Sequence, residues 1–116
     1  MQIKRHDPTK LLANAVEHGS LVFMAGVVAK DTEKDIRGQT AEVLAEIDRL
    51  LAKCGSDKSK LLSAQIWVSD IRNREAMNEI WIAWVAPNSL PARACVEAKL
   101  AHPKALVEIM VVAAKD

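Results

Sequence analysis

The sequence predicts an α+β fold, with one β-sheet and two helices in a single domain covering residues 1–116. Three features carry that expectation. Apolar and polar residues alternate at period two in several short runs, as in half-buried strands. Only two segments repeat their apolar residues at helical spacing. The order of these elements is strand, hairpin, helix, strand, helix, hairpin, an α+β arrangement rather than a bundle or a sandwich.

Taken in order, Gln2–His6 has strand character and is broken by Asp7-Pro8-Thr9. Leu12–Glu17 and Leu21–Val27 flank His18-Gly19-Ser20, a glycine-centred turn, and form a hairpin. Gly26 falls inside the second run, where a missing side chain marks a bulge or a close backbone approach. A charged loop is expected over Lys30–Arg37. From Gln39 to Lys53, the residues Val43, Leu44, Ile47, Leu50 and Leu51 form an apolar stripe, and Gly55 stops the helix. Leu61–Ser69 alternates again, with Leu62, Ala64, Ile66 and Val68 opposite Ser63, Gln65 and Trp67. The second helix runs from Asn73 to Val85 on Met77, Ile80, Trp81, Trp84 and Val85, and Pro87 ends it.

Two further extended runs follow, Pro91–Leu100 and Leu106–Val112. In the first, Ala94, Val96, Ala98 and Leu100 oppose Arg93, Cys95, Glu97 and Lys99; in the second, both faces are apolar. His102-Pro103 between them reads as a hairpin connection, which pairs Arg93 near Val112 and sets Arg93, Cys95 and Glu108 on one surface. Two helices cover one sheet face only. Trp67, Cys95, Met110 and Val112 fall on the other parity, so an apolar patch is left open and a homo-oligomer is expected.

Half of the residues are hydrophobic, ample for a core, and the formal charge of +1 is spread along the chain. That excludes a basic footprint for nucleic acid or an anionic membrane. No apolar run reaches the roughly 18 residues of a membrane span, and Met1–Arg5 leads into no signal-peptide core, so a cytoplasmic location is expected. Cys54 and Cys95 read as reduced thiols without metal-ligand spacing, and His6, His18 and His102 are scattered; no metal is indicated.

Arg93 offers a planar fork of donors that fits a carboxylate in bidentate fashion. The alternative is an ion pair with Glu97 or with a carboxylate of a neighbouring subunit. Glu108 lies between Val107 and Ile109, where a carboxylate must be paired or have its pKa raised. It suits a general acid/base, or a salt bridge to Lys99 or Arg93. Cys95 lacks a histidine at activating distance and reads as a pocket wall rather than a nucleophile.

The residues Pro91-Ala92-Arg93-Ala94-Cys95-Val96-Glu97-Ala98-Lys99-Leu100, followed by Val107-Glu108-Ile109, resemble the signature segment of the RidA/YjgF family of imine and enamine deaminases. The match is in type and spacing: proline two before the arginine, cysteine two after it, glutamate fifteen after it and an isoleucine to close. The resemblance covers nearly the whole chain and implies a chorismate-mutase-like fold, a single mixed sheet with two helices on one face. It further implies a homotrimer with ligand sites in the clefts between subunits. In such a site Arg93 would hold a substrate carboxylate, Glu108 would serve water and the departing nitrogen, Cys95 and Gly26 would shape the pocket, and Asn78 would lie near the ligand. No cofactor is implied, because an imine carbon is already electrophilic. The chain departs from the family where a tyrosine and a serine are usual. It contains no tyrosine, Leu12 is the approximate counterpart, and Ala25 replaces the serine. A divergent branch is expected. The readings are a deaminase of 2-imino and 2-enamino acids, a trimeric binder of small carboxylates, and, third, a ribonuclease.

Overall fold

The computed structural model describes all 116 residues. Its strands are β1 (Ile3–His6), β2 (Ala15–His18), β3 (Leu21–Met24), β4 (Val27–Val28), β5 (Leu61–Val68), β6 (Ala92–Glu97) and β7 (Val107–Ala114). Its α-helices are α1 (Ile36–Lys53) and α2 (Arg74–Trp84). No helix is long and apolar enough to cross a membrane.

Helix α1 starts earlier than the charge pattern suggests. Asp35 accepts a hydrogen bond from the Gly38 amide at 2.9 Å and caps the helix, which places Ile36 inside it rather than in the expected charged loop. Ile36 is buried and lies two turns before Val43, so it extends the same stripe. At the other end Cys54 closes the helix, and Gly55 follows at φ +77°, a left-handed conformation that favours glycine.

The strands form one mixed sheet in the order β1-β2-β3-β7-β5-β6, with β4 also paired to β7. Strand β5 leads through α2 into β6, which returns parallel to it: Ala64 lies opposite Arg93 and Ile66 opposite Cys95. Strand β7 lies antiparallel on the other side of β5, with Val111 opposite Ala64 and Glu108 opposite Trp67. This overturns the expected hairpin through His102-Pro103. β5 separates β6 from β7, and the connection between them is a loop pinned by the buried Gln39, which accepts from the Leu106 amide and donates to the Lys104 carbonyl. A helix between two strands favours exactly this parallel return, because the crossover needs the length that the helix supplies.

The register decides which face each residue occupies, since bridged partners share a face. Val111, Ala64 and Arg93 form one row, and Ile109, Ile66 and Cys95 the next, both on the side covered by the helices. On the other side lie Met110, Gln65 and Ala94, then Glu108, Trp67 and Val96. The expected assignment therefore holds for Trp67, Met110 and Val112, while Cys95 and Val96 exchange faces. The cause is the change of partner, which resets the phase of β6. The core between sheet and helices is built from residues such as Val22, Leu44, Ile47, Leu51, Ile66, Met77, Ile109 and Val111. Opposite it, Phe23, Val28, Leu62, Val96 and Met110 stay exposed. The open apolar face expected from parity is present.

Candidate functional site

Arg93 stands on the edge strand β6 and turns toward α2. Its Nη1 donates to Asn78 Oδ1 at 2.8 Å, and its guanidinium lies 5.4 Å from the centre of the Trp81 ring. Asn78 and Trp81 are three residues apart on α2, so both reach the same side chain. Trp81, expected only as a core residue, is the neighbour that sequence reasoning missed; its position one turn after Asn78 was the available signal. The alternative pairing of Arg93 with Glu97 is not formed, because the Glu97 carboxylate accepts from the Ile71 amide at 2.9 Å. The fork thus meets no carboxylate, while the amide and the aromatic face hold it in place.

Glu108 belongs to a second cluster on the opposite face of the sheet. It lies in β7 between Val28 of β4 and Trp67 of β5. Its carboxylate rests against Gly26, in the two-residue break between β3 and β4. A Cβ on Gly26 would come 3.0 Å from Glu108 Cδ and 3.2 Å from Cγ, with Oε2 closer still. The expected close approach at Gly26 is therefore real, and the neighbour that requires it is Glu108. Neither Lys99 nor Arg93 pairs with this carboxylate. Ala25, beside Gly26, donates its amide to the Asn14 carbonyl at 3.0 Å. Leu12 lies in an exposed turn that its own carbonyl closes by accepting from the Thr9 amide at 2.7 Å.

The two clusters do not meet within one chain. Arg93 and Glu108 are two strands apart and offset by three residues, about 14 Å between Cα atoms at ordinary strand spacing and rise, and they face opposite sides. The expected common surface of Arg93, Cys95 and Glu108 is corrected accordingly: Cys95 sits beside Arg93 on the helix side, half-buried against the core. Arg93, Asn78 and Cys95 lie together on one side of the sheet, and Glu108 with Gly26 on the other.

One more cluster escapes sequence reasoning. His6, Glu17 and Cys54 converge with their ligating atoms within 4.8 Å of one another. Both Glu17 oxygens are occupied, one by His6 and one by Lys115, so the group is a buried ion network joining β1, β2 and the chain end. Lys115 foremost, then His6, hold the Glu17 carboxyl below the usual carboxylate range. Burial pushes the Cys54 thiol up, which leaves it unreactive.

Comparison with known proteins agrees over the full length. The family described as endoribonuclease L-PSP matches residues 2–115. A RutC family protein of Haemophilus influenzae is 45% identical over 114 residues, covering 97% of this chain and 98% of that protein. The RutC family protein YoaB of Escherichia coli is 40% identical over 114 residues, covering 98% and 99%. Among solved structures, a YjgF family member from Neisseria meningitidis superposes with a TM-score of 0.97 at 46% identity, covering 100% of this chain and 97% of that one. By sequence, length and chorismate-mutase-like α+β architecture, the chain belongs to the endoribonuclease L-PSP family, the group of the YjgF, RidA and RutC proteins.

Proposed function

We propose that the protein is a trimeric, cofactor-independent hydrolase that converts reactive 2-imino and 2-enamino acids into 2-keto acids and ammonia, acting in the cytoplasm at sites between subunits. The observation that carries this reading is the pair of half-sites: an arginine with no acidic partner, and a carboxylate with no basic one, each held in place and each incomplete alone. Arg93 takes the substrate carboxylate, steadied by Asn78, with Cys95 as a neighbouring wall. Glu108 of an adjacent copy, seated on Gly26, takes a proton from water as the water oxygen adds to C2 of the imine. Glu108 passes that proton to the nitrogen, giving the carbinolamine, and then moves the hydroxyl proton to the nitrogen as the C–N bond breaks and the C=O bond forms, so that imine plus water gives ketone plus ammonia. The open apolar face around Met110, Phe23 and Val96 is the surface on which the copies assemble.

A second reading, a trimeric binder of small carboxylates, is favoured by Leu12 and Ala25, which stand where the family usually has two hydroxyls. A ribonuclease ranks third, since the near-neutral chain offers little phosphate-binding charge. Glu108→Gln separates the first two. It should abolish imine hydrolysis, with losses of roughly 10²–10⁴ in rate, while 2-keto acids still bind. A wild type that binds keto acids through Arg93 and accelerates no imine would leave the binder.

A further inference from the structure

The half-site around Arg93 does not end at the guanidinium. It opens into a groove of about 410 Å³ between the C-terminal turn of α2 and the segment that leads into β6, walled by Trp81, Ile82, Val85, Pro87 and Leu90. Arg93 and Asn78 are its only polar lining residues. Ile82 and Leu90 are 71% and 65% exposed, unusual for branched aliphatic residues on a helix and a loop with no covering element. A cationic fork at one end and hydrocarbon along the rest complement a ligand with a carboxylate head and an apolar tail. No acidic side chain lines the groove to repel such a head. The volume also matters, because a ligand as small as pyruvate fills the fork end and leaves the hydrocarbon walls wet.

Resting on the function proposed above, we infer that this groove is the side-chain pocket of the site, and that it selects 2-imino acids with branched or aromatic hydrocarbon side chains over those with a methyl group. The geometry of the substrate fits. In a 2-imino acid, C2 carries the carboxylate, the side chain and the nitrogen in one plane. With the carboxylate on Arg93 and the side chain along Trp81 and Leu90, the nitrogen and the attacked face of C2 are directed out of the groove, where Glu108 of a second copy must arrive. Ile82 and Leu90 thereby become specificity residues, remote from the proton transfers.

The test compares two ligands on the intact protein. Calorimetry would measure the affinity for 4-methyl-2-oxopentanoate and for pyruvate, and an amino acid oxidase would generate the imines of leucine and alanine for turnover. Burying one methylene fully is worth roughly fourfold in affinity, so three extra carbons in an open groove should favour the leucine-derived ligand on the order of tenfold. Ile82→Gln and Leu90→Gln, at exposed positions, should keep the fold by circular dichroism and erase that preference while retaining the alanine-derived reaction. Equal affinity for the two keto acids in the wild type, or a preference that survives both substitutions, would overturn the pocket and leave the proposed function standing. Keto acid binding that is indifferent to Arg93→Ala would remove the underlying site, and the pocket with it.

Discussion

Gly26→Ala isolates what the Glu108 carboxylate contributes, because the three atoms nearest the added methyl group all belong to Glu108. The backbone at Gly26 lies outside the left-handed region, so alanine carries no conformational strain there. Its Cβ would stand 3.0 Å from Glu108 Cδ and 3.2 Å from Cγ, closer than ordinary carbon contacts, with Oε2 nearer still. The carboxylate can rotate away, but the stem of Glu108 must also yield by a few tenths of an ångström. Overpacking of this mild kind costs about 1 kcal/mol of stability. The displaced carboxylate matters far more, since a misplacement of about 1 Å in a catalytic group lowers a rate on the order of 10²-fold. Gly26→Ala should therefore melt within a few degrees of the wild type, bind 2-keto acids through Arg93 as before, and hydrolyse imines at roughly the rate of Glu108→Gln. The assay is oxidase-generated imine consumption against the uncatalysed rate in water, with melting followed by circular dichroism. Wild-type turnover in Gly26→Ala would refute the claim that Glu108 acts from its seat on this glycine.

The remaining predictions concern the clamp, the ion network and the open face. Arg93→Lys keeps the charge but loses the fork, and should weaken 2-keto acid binding by roughly 1.5–3 kcal/mol with little change in melting temperature; calorimetry that finds unchanged affinity would make Arg93 structural. Glu17 has a folded pKa below its ordinary 4.5, so the stability it adds is present above about pH 4.5 and is lost as pH falls through the lower folded value. Denaturation of Glu17→Gln should thus show a deficit at pH 7 that narrows toward pH 3, and a deficit constant over that range would contradict the assignment. Met110→Asp puts a charge in the middle of the open apolar face and should yield monomers in sedimentation at micromolar concentration, whereas an intact trimer would place the interface elsewhere.

Most of the fold was legible because its elements have strong periods. The stripe from Val43 to Leu51 and the alternation from Ser63 to Val68 lie where expected, while a register shift between Leu61 and Ser63 leaves Leu62 exposed instead of buried with Ala64; Gly26 marks the close approach its position implied. Pairing was harder to read. A strand's own alternation does not say which neighbour it hydrogen-bonds to, and the proximity of β6 and β7 in sequence suggested a hairpin. The informative pattern was a strand, an intervening helix and another strand, which is the signature of a parallel crossover. That choice moved Arg93 and Cys95 to the side opposite Glu108, and split one expected surface into two separate clusters. The residue types of the candidate site were visible in the spacing around Pro91-Ala92-Arg93. Trp81 as the support of Arg93, and the His6, Glu17, Lys115 network, were not, because their partners come from remote parts of the chain.

The central claim is that Arg93 and Glu108 act on one substrate from different copies of the chain, and mixed subunits test it most directly. Arg93→Ala and Glu108→Gln should each be inactive alone as purified proteins. Unfolded together at equal amounts and refolded, they assemble at random, and a site is intact when its arginine comes from a Glu108→Gln subunit and its glutamate from an Arg93→Ala subunit. Roughly a quarter of the wild-type activity should then return, since a head-to-tail interface draws its two sides from independent subunits. Recovery near that level is the predicted result, and mixtures as inactive as their components would contradict the account.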